Sequence, residues 1–197
     1  DANVNSDASP IRPERLCKEL ADYLPANAMF VSDTGYSGGW SGAFWELRHQ
    51  GHNYIRCEGS LGWAFPGAMG VKCALPDRPV LCFTGDGGLW YHLSELETAV
   101  RRGINTVTVV LNNHALVFDT HILDKRYGGK GHDLSEFTNV DFGAVARSMG
   151  AFGIQVTNIQ ELRPALDQAF ASNLPAIVDV VIDHEAYAPI RGGQPMA

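Results

Sequence analysis

Asp86 offers a hard carboxylate oxygen and Asn113 a neutral amide oxygen, two ligand types that suit Mg²⁺ or Ca²⁺. Asp86 stands in the run Thr84-Gly85-Asp86-Gly87-Gly88, and Asn113 closes the pair Asn112-Asn113. Gly87 and Gly88 place backbone N–H groups at the start of a helix, a cradle for phosphate oxygens. A cation with few protein ligands takes the rest from water and phosphate. The chemistry on offer is a divalent ion bridging the chain to a diphosphate. Taken singly, Gly-Asp-Gly is a common turn and Asn-Asn a common strand end, and such short motifs are weak. The assignment rests on the two occurring together on neighbouring strands.

The elements around them predict that neighbourhood. Val80-Leu81-Cys82-Phe83 reads as a buried strand. Leu89, Leu93, Leu96 and Val100 follow at helix-face spacing, and Val107-Thr108-Val109-Val110-Leu111 is a second buried strand. A strand–helix–strand crossover is right-handed almost without exception and returns both strands to the same edge of a parallel sheet. Asp86 and Asn113 are therefore expected side by side at the carboxyl edge, where open α/β sheets bind ligands.

Gly85-Asp86-Gly87, a helix, a strand and Asn112-Asn113 resemble the thiamine diphosphate motif of the acetolactate synthase, benzoylformate decarboxylase and pyruvate decarboxylase superfamily. The resemblance extends upstream through Gly59-Ser60-Leu61-Gly62-Trp63-Ala64-Phe65-Pro66-Gly67-Ala68-Met69-Gly70 and covers roughly Pro13 to Ile182. It implies an α/β fold, an open and mostly parallel sheet with helices on both faces. It further implies thiamine diphosphate and Mg²⁺ as cofactors, with the metal on Asp86, Asn113 and the backbone carbonyl of Ala115. Gly87, Gly88 and Leu116 would lie along the cofactor. The Gly59 carbonyl would accept from the aminopyrimidine. Leu61 would wedge between the two rings and hold the cofactor bent, which brings its amine close to the reacting carbon. In acetolactate synthases a Gln and a His contact the diphosphate where this chain has Tyr36 and Ser37, both still able to donate a hydrogen bond. Phe118, Asp119 and Ile122 would shape the substrate end. Desolvation there would suit Asp119 to proton handling, and a helix cap is an equally good reading of Asp119.

The resemblance also implies a missing half. Family members join a diphosphate-binding domain to a pyrimidine-binding domain that supplies a catalytic Glu, and no second motif set occurs here. The chain is expected to be the diphosphate-binding part of a hetero-oligomer, either a split subunit or a fragment. An apolar association face is expected to carry Trp40, Trp45, Trp63 and Trp90. The implied activity is decarboxylation of a 2-oxo acid, with transfer of the acyl carbanion to a carbonyl acceptor as in acetolactate synthase. A non-oxidative decarboxylase β subunit of the sulfopyruvate or phosphonopyruvate type stays open, with Lys125 and Arg126 as anion-binding candidates. So does a non-catalytic Mg²⁺-diphosphate-binding module.

Along the chain, residues 1–12 read as a polar leader or linker, 13–184 as the diphosphate-binding domain and 185–197 as an irregular tail. Pro13 opens a helix buried through Leu16, Leu20 and Leu24. Ala28 to Ser32 reads as the first strand, and a Gly-rich loop from Asp33 to Trp40 is expected at its carboxyl end. His49 and His52 read as surface residues. Tyr54 to Cys57 is strand-like, and a helix follows from about Trp63 to Leu75. A mobile Gly-rich loop is expected from Lys125 to Asp133, with His121 and His132 as lesser site candidates. Asp141 starts a helix that ends at Gly150. Phe152 to Val156 and Ala176 to Ile182 read as strands around a helix from Gln160 to Ser172.

A length of 197 residues favours one core, and a net charge of −7 argues against nucleic acid and anionic membrane as partners. No apolar run reaches spanning length, and no signal-peptide pattern opens the sequence. The four cysteines lack Cys-x-x-Cys spacing, and three read as small core residues. That disfavours an iron–sulfur oxidoreductase and fits a reducing, cytoplasmic setting.

Overall fold

The computed structural model describes residues 2–48, 50, 53–57 and 59–190. His49 and His52, expected at the surface, lie outside them.

Six strands form one sheet in the order β2-β1-β3-β4-β6-β5, and every pairing is parallel. In chain order the elements are α1 (Pro13–Tyr23), β1 (Met29–Ser32), α2 (Gly35–Phe44), β2 (Asn53–Arg56), α3 (Ala64–Ala74), β3 (Val80–Gly85), α4 (Asp86–His92) and α5 (Glu95–Arg102). They continue with β4 (Val107–Asn112), α6 (Val117–Tyr127), α7 (Phe142–Ser148), β5 (Phe152–Val156), α8 (Ile159–Ala171) and β6 (Ala176–Val181). Alternate strand residues feed two cores. Phe30, Phe83, Val109 and Val178 pack with α1, α2 and α8 on one face. Val31, Cys82, Val110 and Ile177 pack with α3, α4, α5 and α7 on the other. Burial on both faces explains why these strands read as unbroken apolar runs.

Local signals start two of the helices, at Asp141 as expected and at Asn158. Asp141 accepts from Ala144 N–H at 2.8 Å and caps α7, and Asn158 with Glu161 makes a capping box on α8. The single helix expected after Gly88 is divided instead. Leu93 and Ser94 keep helical dihedrals, but Leu96 and Glu97 bond three residues back, a 3₁₀ tightening between α4 and α5.

Other differences have tertiary causes. The expected Gly-rich loop at 33–40 is mostly helix, since α2 starts at Gly35. Its glycines have poor helix propensity, but they let α2 lie against the Arg56 stem and against Ala188 and Ile190. The expected mobile loop is also shorter, because Lys125 to Tyr127 finish α6 and the left-handed Gly128 ends it. Upstream, Ile11 is fully buried and bridges Ile182, so ordered packing begins before Pro13. Cys17 and Cys82 are buried, whereas Cys73 is exposed on α3 and Cys57 is intermediate. Trp40 is 2 % exposed and belongs to the core rather than to an association face. Among the described residues no helix is long and apolar enough to cross a membrane.

Backbone packs directly on backbone where α7 meets β5. A Cβ on Gly153 would overlap the Gly143 carbonyl, and one on Gly143 would lie 2.8 Å from Ile154 backbone atoms. Gly153→Ala is expected to cost about 3 kcal/mol by overpacking, since backbone cannot move aside as a side chain does. Urea unfolding of the two proteins measures it.

Candidate functional site

The sheet order reverses between β1 and β3, the switch point of this doubly wound fold. Strand tips β1, β3 and β4 meet there around a cavity of about 490 Å³. Register aligns Ser32 with Phe83 and Gly85 with Leu111. Thus Asp33, Asp86 and Asn113 leave the sheet within one strand spacing of their neighbours.

Asp86 is 2 % exposed. Its Oδ1 accepts from Gly87 N–H at 2.7 Å and its Oδ2 from Ala115 N–H at 3.2 Å, so the β3 tip is tied to the segment after Asn113. Burial pushes its pKa up to about 7, against the pull of those backbone donors. A buried carboxylate without a full counter-charge is one that a cation would hold ionised. The side chain amide of Asn112 donates to Val140 carbonyl at 3.0 Å and its oxygen accepts from His114 N–H at 3.3 Å. His114 is in the left-handed region at φ 59°, and His184 Nδ1 lies 3.0 Å from the Asn113 carbonyl. Asn112 therefore shapes the turn, while Asn113 lines the cavity. Among the described residues no three His, Cys, Asp or Glu side chains gather to hold a metal. The fit is to a cation with one carboxylate, an amide oxygen, a backbone carbonyl and ligand oxygens.

A divalent ion at Asp86 must displace a proton below a pH of about 7. The free protein holds more protons at this group than the unfolded chain between the ordinary carboxylate range and that value. This group's contribution to stability therefore falls as pH rises through that window. Metal affinity runs the other way. For a divalent ion held by Asp86, the dissociation constant would rise about tenfold for each unit of pH below about 7 and level off above it. Calorimetric titration of the wild-type protein across pH reads this.

The glycines are placed by contact. A Cβ on Gly87 would overlap Leu116, and one on Gly88 would stand 2.6 Å from Thr84 Oγ1 and 3.0 Å from Asp33 Oδ2. The Gly87 N–H is spent on Asp86, so the expected two-donor phosphate cradle is reduced to Gly88. A Ser at Gly88, which leaves the N–H intact, would still need Thr84 to move.

Asp33 carries more than its place at the start of a loop indicated. It is fully buried. Its oxygens accept from Gly62 N–H at 3.1 Å, Thr84 Oγ1 at 3.0 Å and Thr34 N–H at 2.7 Å. Burial raises its pKa against those bonds. It clamps together the β1 tip, the β2–α3 loop and the β3 tip. Thr34 Oγ1 adds a bond from Gly59 N–H at 3.3 Å. Gly59 and Leu61 of that loop line the cavity. An acidic residue directly after a buried strand was the signal available.

Ser37 and Tyr36 line the cavity from α2. The Tyr36 hydroxyl is 2.7 Å from His121 Nδ1. Burial raises the tyrosine and lowers the histidine. Tyr36 then stays protonated beside a neutral imidazole, and the tautomer of His121 sets which of the two donates. Its hydroxyl thus has a protein partner in His121 while its side chain lines the cavity. His121 stacks on Tyr187 at 3.6 Å and 11°. Ala115, Leu116, Phe118 and Asp119 line the opposite wall, but Ile122, one turn further along α6, does not. Asp119 is exposed in the first turn of α6, and Leu116 holds the cap position, so Asp119 does not cap the helix. Lys125 and Arg126 lie in the last turn of α6, outside the cavity.

Residues 33–180 match the family described as thiamine pyrophosphate enzyme, C-terminal TPP binding domain. The acetolactate synthase large subunit of Haemophilus influenzae is 31% identical over 189 residues, 93% of this chain and 33% of that protein. An acetolactate synthase large subunit of Mycobacterium tuberculosis is 34% identical over 196 residues, 96% of this chain and 35% of that protein. The sulfoacetaldehyde acetyltransferase of Alcaligenes xylosoxydans xylosoxydans is 27% identical over 208 residues, 93% of this chain and 31% of that protein. The chain spans about a third of the length of these curated relatives.

Proposed function

This chain belongs to the thiamine pyrophosphate enzymes through their C-terminal TPP-binding domain, and we propose that it holds the diphosphate and Mg²⁺ in an enzyme that decarboxylates a 2-oxo acid and transfers the acyl unit to a carbonyl acceptor. The observation that carries this reading is the convergence of Asp86 and Asn113 on one cavity at neighbouring strand tips. The likeness to acetolactate synthases favours a carboligase over a simple decarboxylase.

Asp86, the Asn113 amide and the Ala115 carbonyl hold the metal in this reading. Gly88 N–H and Ser37 meet the diphosphate. The Gly59 carbonyl and Leu61 orient the rings. When bound, the cofactor supplies an electron sink for loss of carbon dioxide. Phe118 walls the reacting end and keeps water from it. Asp119 moves a proton once a covering domain desolvates it. That domain binds the pyrimidine, supplies a glutamate and comes from elsewhere in the assembly. Tyr91, 63 % exposed, stands beside the Gly62 rim and offers that domain an aromatic contact, and Trp90 of the same helix is 41 % exposed.

The test is product analysis. The intact enzyme with Mg²⁺, thiamine diphosphate and pyruvate should form acetolactate. Acetaldehyde as sole product would assign a decarboxylase instead. Thiamine diphosphate bound no more tightly than inorganic pyrophosphate would overturn the reading, with Asp86→Asn as the control.

A further inference from the structure

Arg56 is the only cationic side chain among the described residues that line the cavity. It ends β2, and its Nη1 donates to the Gly38 carbonyl at 3.2 Å. Its Cδ lies 3.2 Å and its Nη1 3.3 Å from where a Gly38 Cβ would stand, and Nη1 lies 3.8 Å from that of Gly42. Gly38 and Gly42 are four residues apart and share one face of α2. The glycines that made this segment look like a loop therefore form a seat for the arginine.

Arg12, Arg15, Arg48, Arg101, Arg147 and Arg163 each face a carboxylate. None among the described residues faces Arg56, whose guanidinium keeps donors beyond the one given to Gly38. The other charged groups lining the cavity are the carboxylates Asp86 and Asp119. An oxyanion entering between them needs a counter-charge besides the metal.

We infer that Arg56 is an anion-binding residue of this cavity, its free guanidinium donors taking a phosphate oxygen of the diphosphate or the carboxylate of the substrate. The inference rests on the proposed function for the nature of the occupant. Both sources present the same chemistry, a planar or tetrahedral oxyanion that a guanidinium binds through two donors.

Arg56→Met and Arg56→Lys in the intact enzyme separate the sources. Calorimetry with Mg²⁺-pyrophosphate and with Mg²⁺-thiamine diphosphate reads the first. KM for pyruvate at saturating cofactor reads the second. Arg56→Met should weaken one of them by about 10- to 100-fold, the range of one charge-assisted hydrogen bond. Arg56→Lys, which keeps the charge but not the fork, should recover part of the loss. A calorimetric loss assigns the cofactor. A raised KM with unchanged kcat and unchanged calorimetry assigns the substrate. Wild-type affinity and KM in both variants would overturn the inference and leave the proposed function standing. Failure of the wild-type enzyme to bind either diphosphate probe would remove both.

Discussion

Asp86→Asn should abolish Mg²⁺-dependent binding of thiamine diphosphate while barely changing the stability of the free protein. The affinity loss should exceed about 100-fold, because residues that merely support a metal ligand already cost about 10- to 100-fold when removed. Stability moves little because two effects oppose. Asn keeps an oxygen for one of the two N–H groups, of Gly87 and Ala115, that Asp86 now accepts from. It loses the other bond, but it also removes a carboxylate that burial penalises. The net change above pH 7 should stay within about 1 kcal/mol. Calorimetric binding and urea unfolding on the same samples give both numbers. Wild-type metal dependence in the variant would mean that the cation sits elsewhere, and the site assignment would fall.

Asp33→Ala should do the reverse, unfolding the protein more readily before any question of binding arises. Thr34 N–H and Gly62 N–H lose their acceptor, and the Thr84 hydroxyl, which also reaches the Gly85 carbonyl at 3.2 Å, loses one of its two. Orphaned buried donors cost about 1–3 kcal/mol each, with some recovered by relaxation, so a loss of about 3–5 kcal/mol is expected. For a chain of this size that lowers Tm by roughly 6–20 °C. Asp33→Asn retains an acceptor oxygen and should cost less. A loss below about 1 kcal/mol for the alanine variant would mean that Asp33 is not what clamps the three segments.

The two substitutions separate the parts of the site that local sequence reveals from those it hides. Asp86 and Asn113 were legible because a carboxylate and an amide stand at the ends of apolar runs, and topology alone makes those ends neighbours. Asp33 also follows a strand, but its acceptors' partners come from residues 62 and 84, which no local pattern connects to it. Tyr36 was expected at the diphosphate because of its position in the chain. Its hydroxyl also reaches His121, 85 residues away, a pairing that α2 and α6 create only when both have packed.

The sequence by itself determined the strands, the sheet edge that carries the chemistry and the family. Apolar runs, capping residues and ordered motifs act within a few residues and survive any rearrangement further away. Only the tertiary structure decided that the glycines after Asp33 form a helix, that Ile11 joins the core and that Arg56 enters the cavity. Glycine is a poor helix former until something must pass close to the backbone, and here the Arg56 stem and Ile190 do so. Those contacts form between segments distant along the chain, and the burial that stabilises them is a property of the assembled layers.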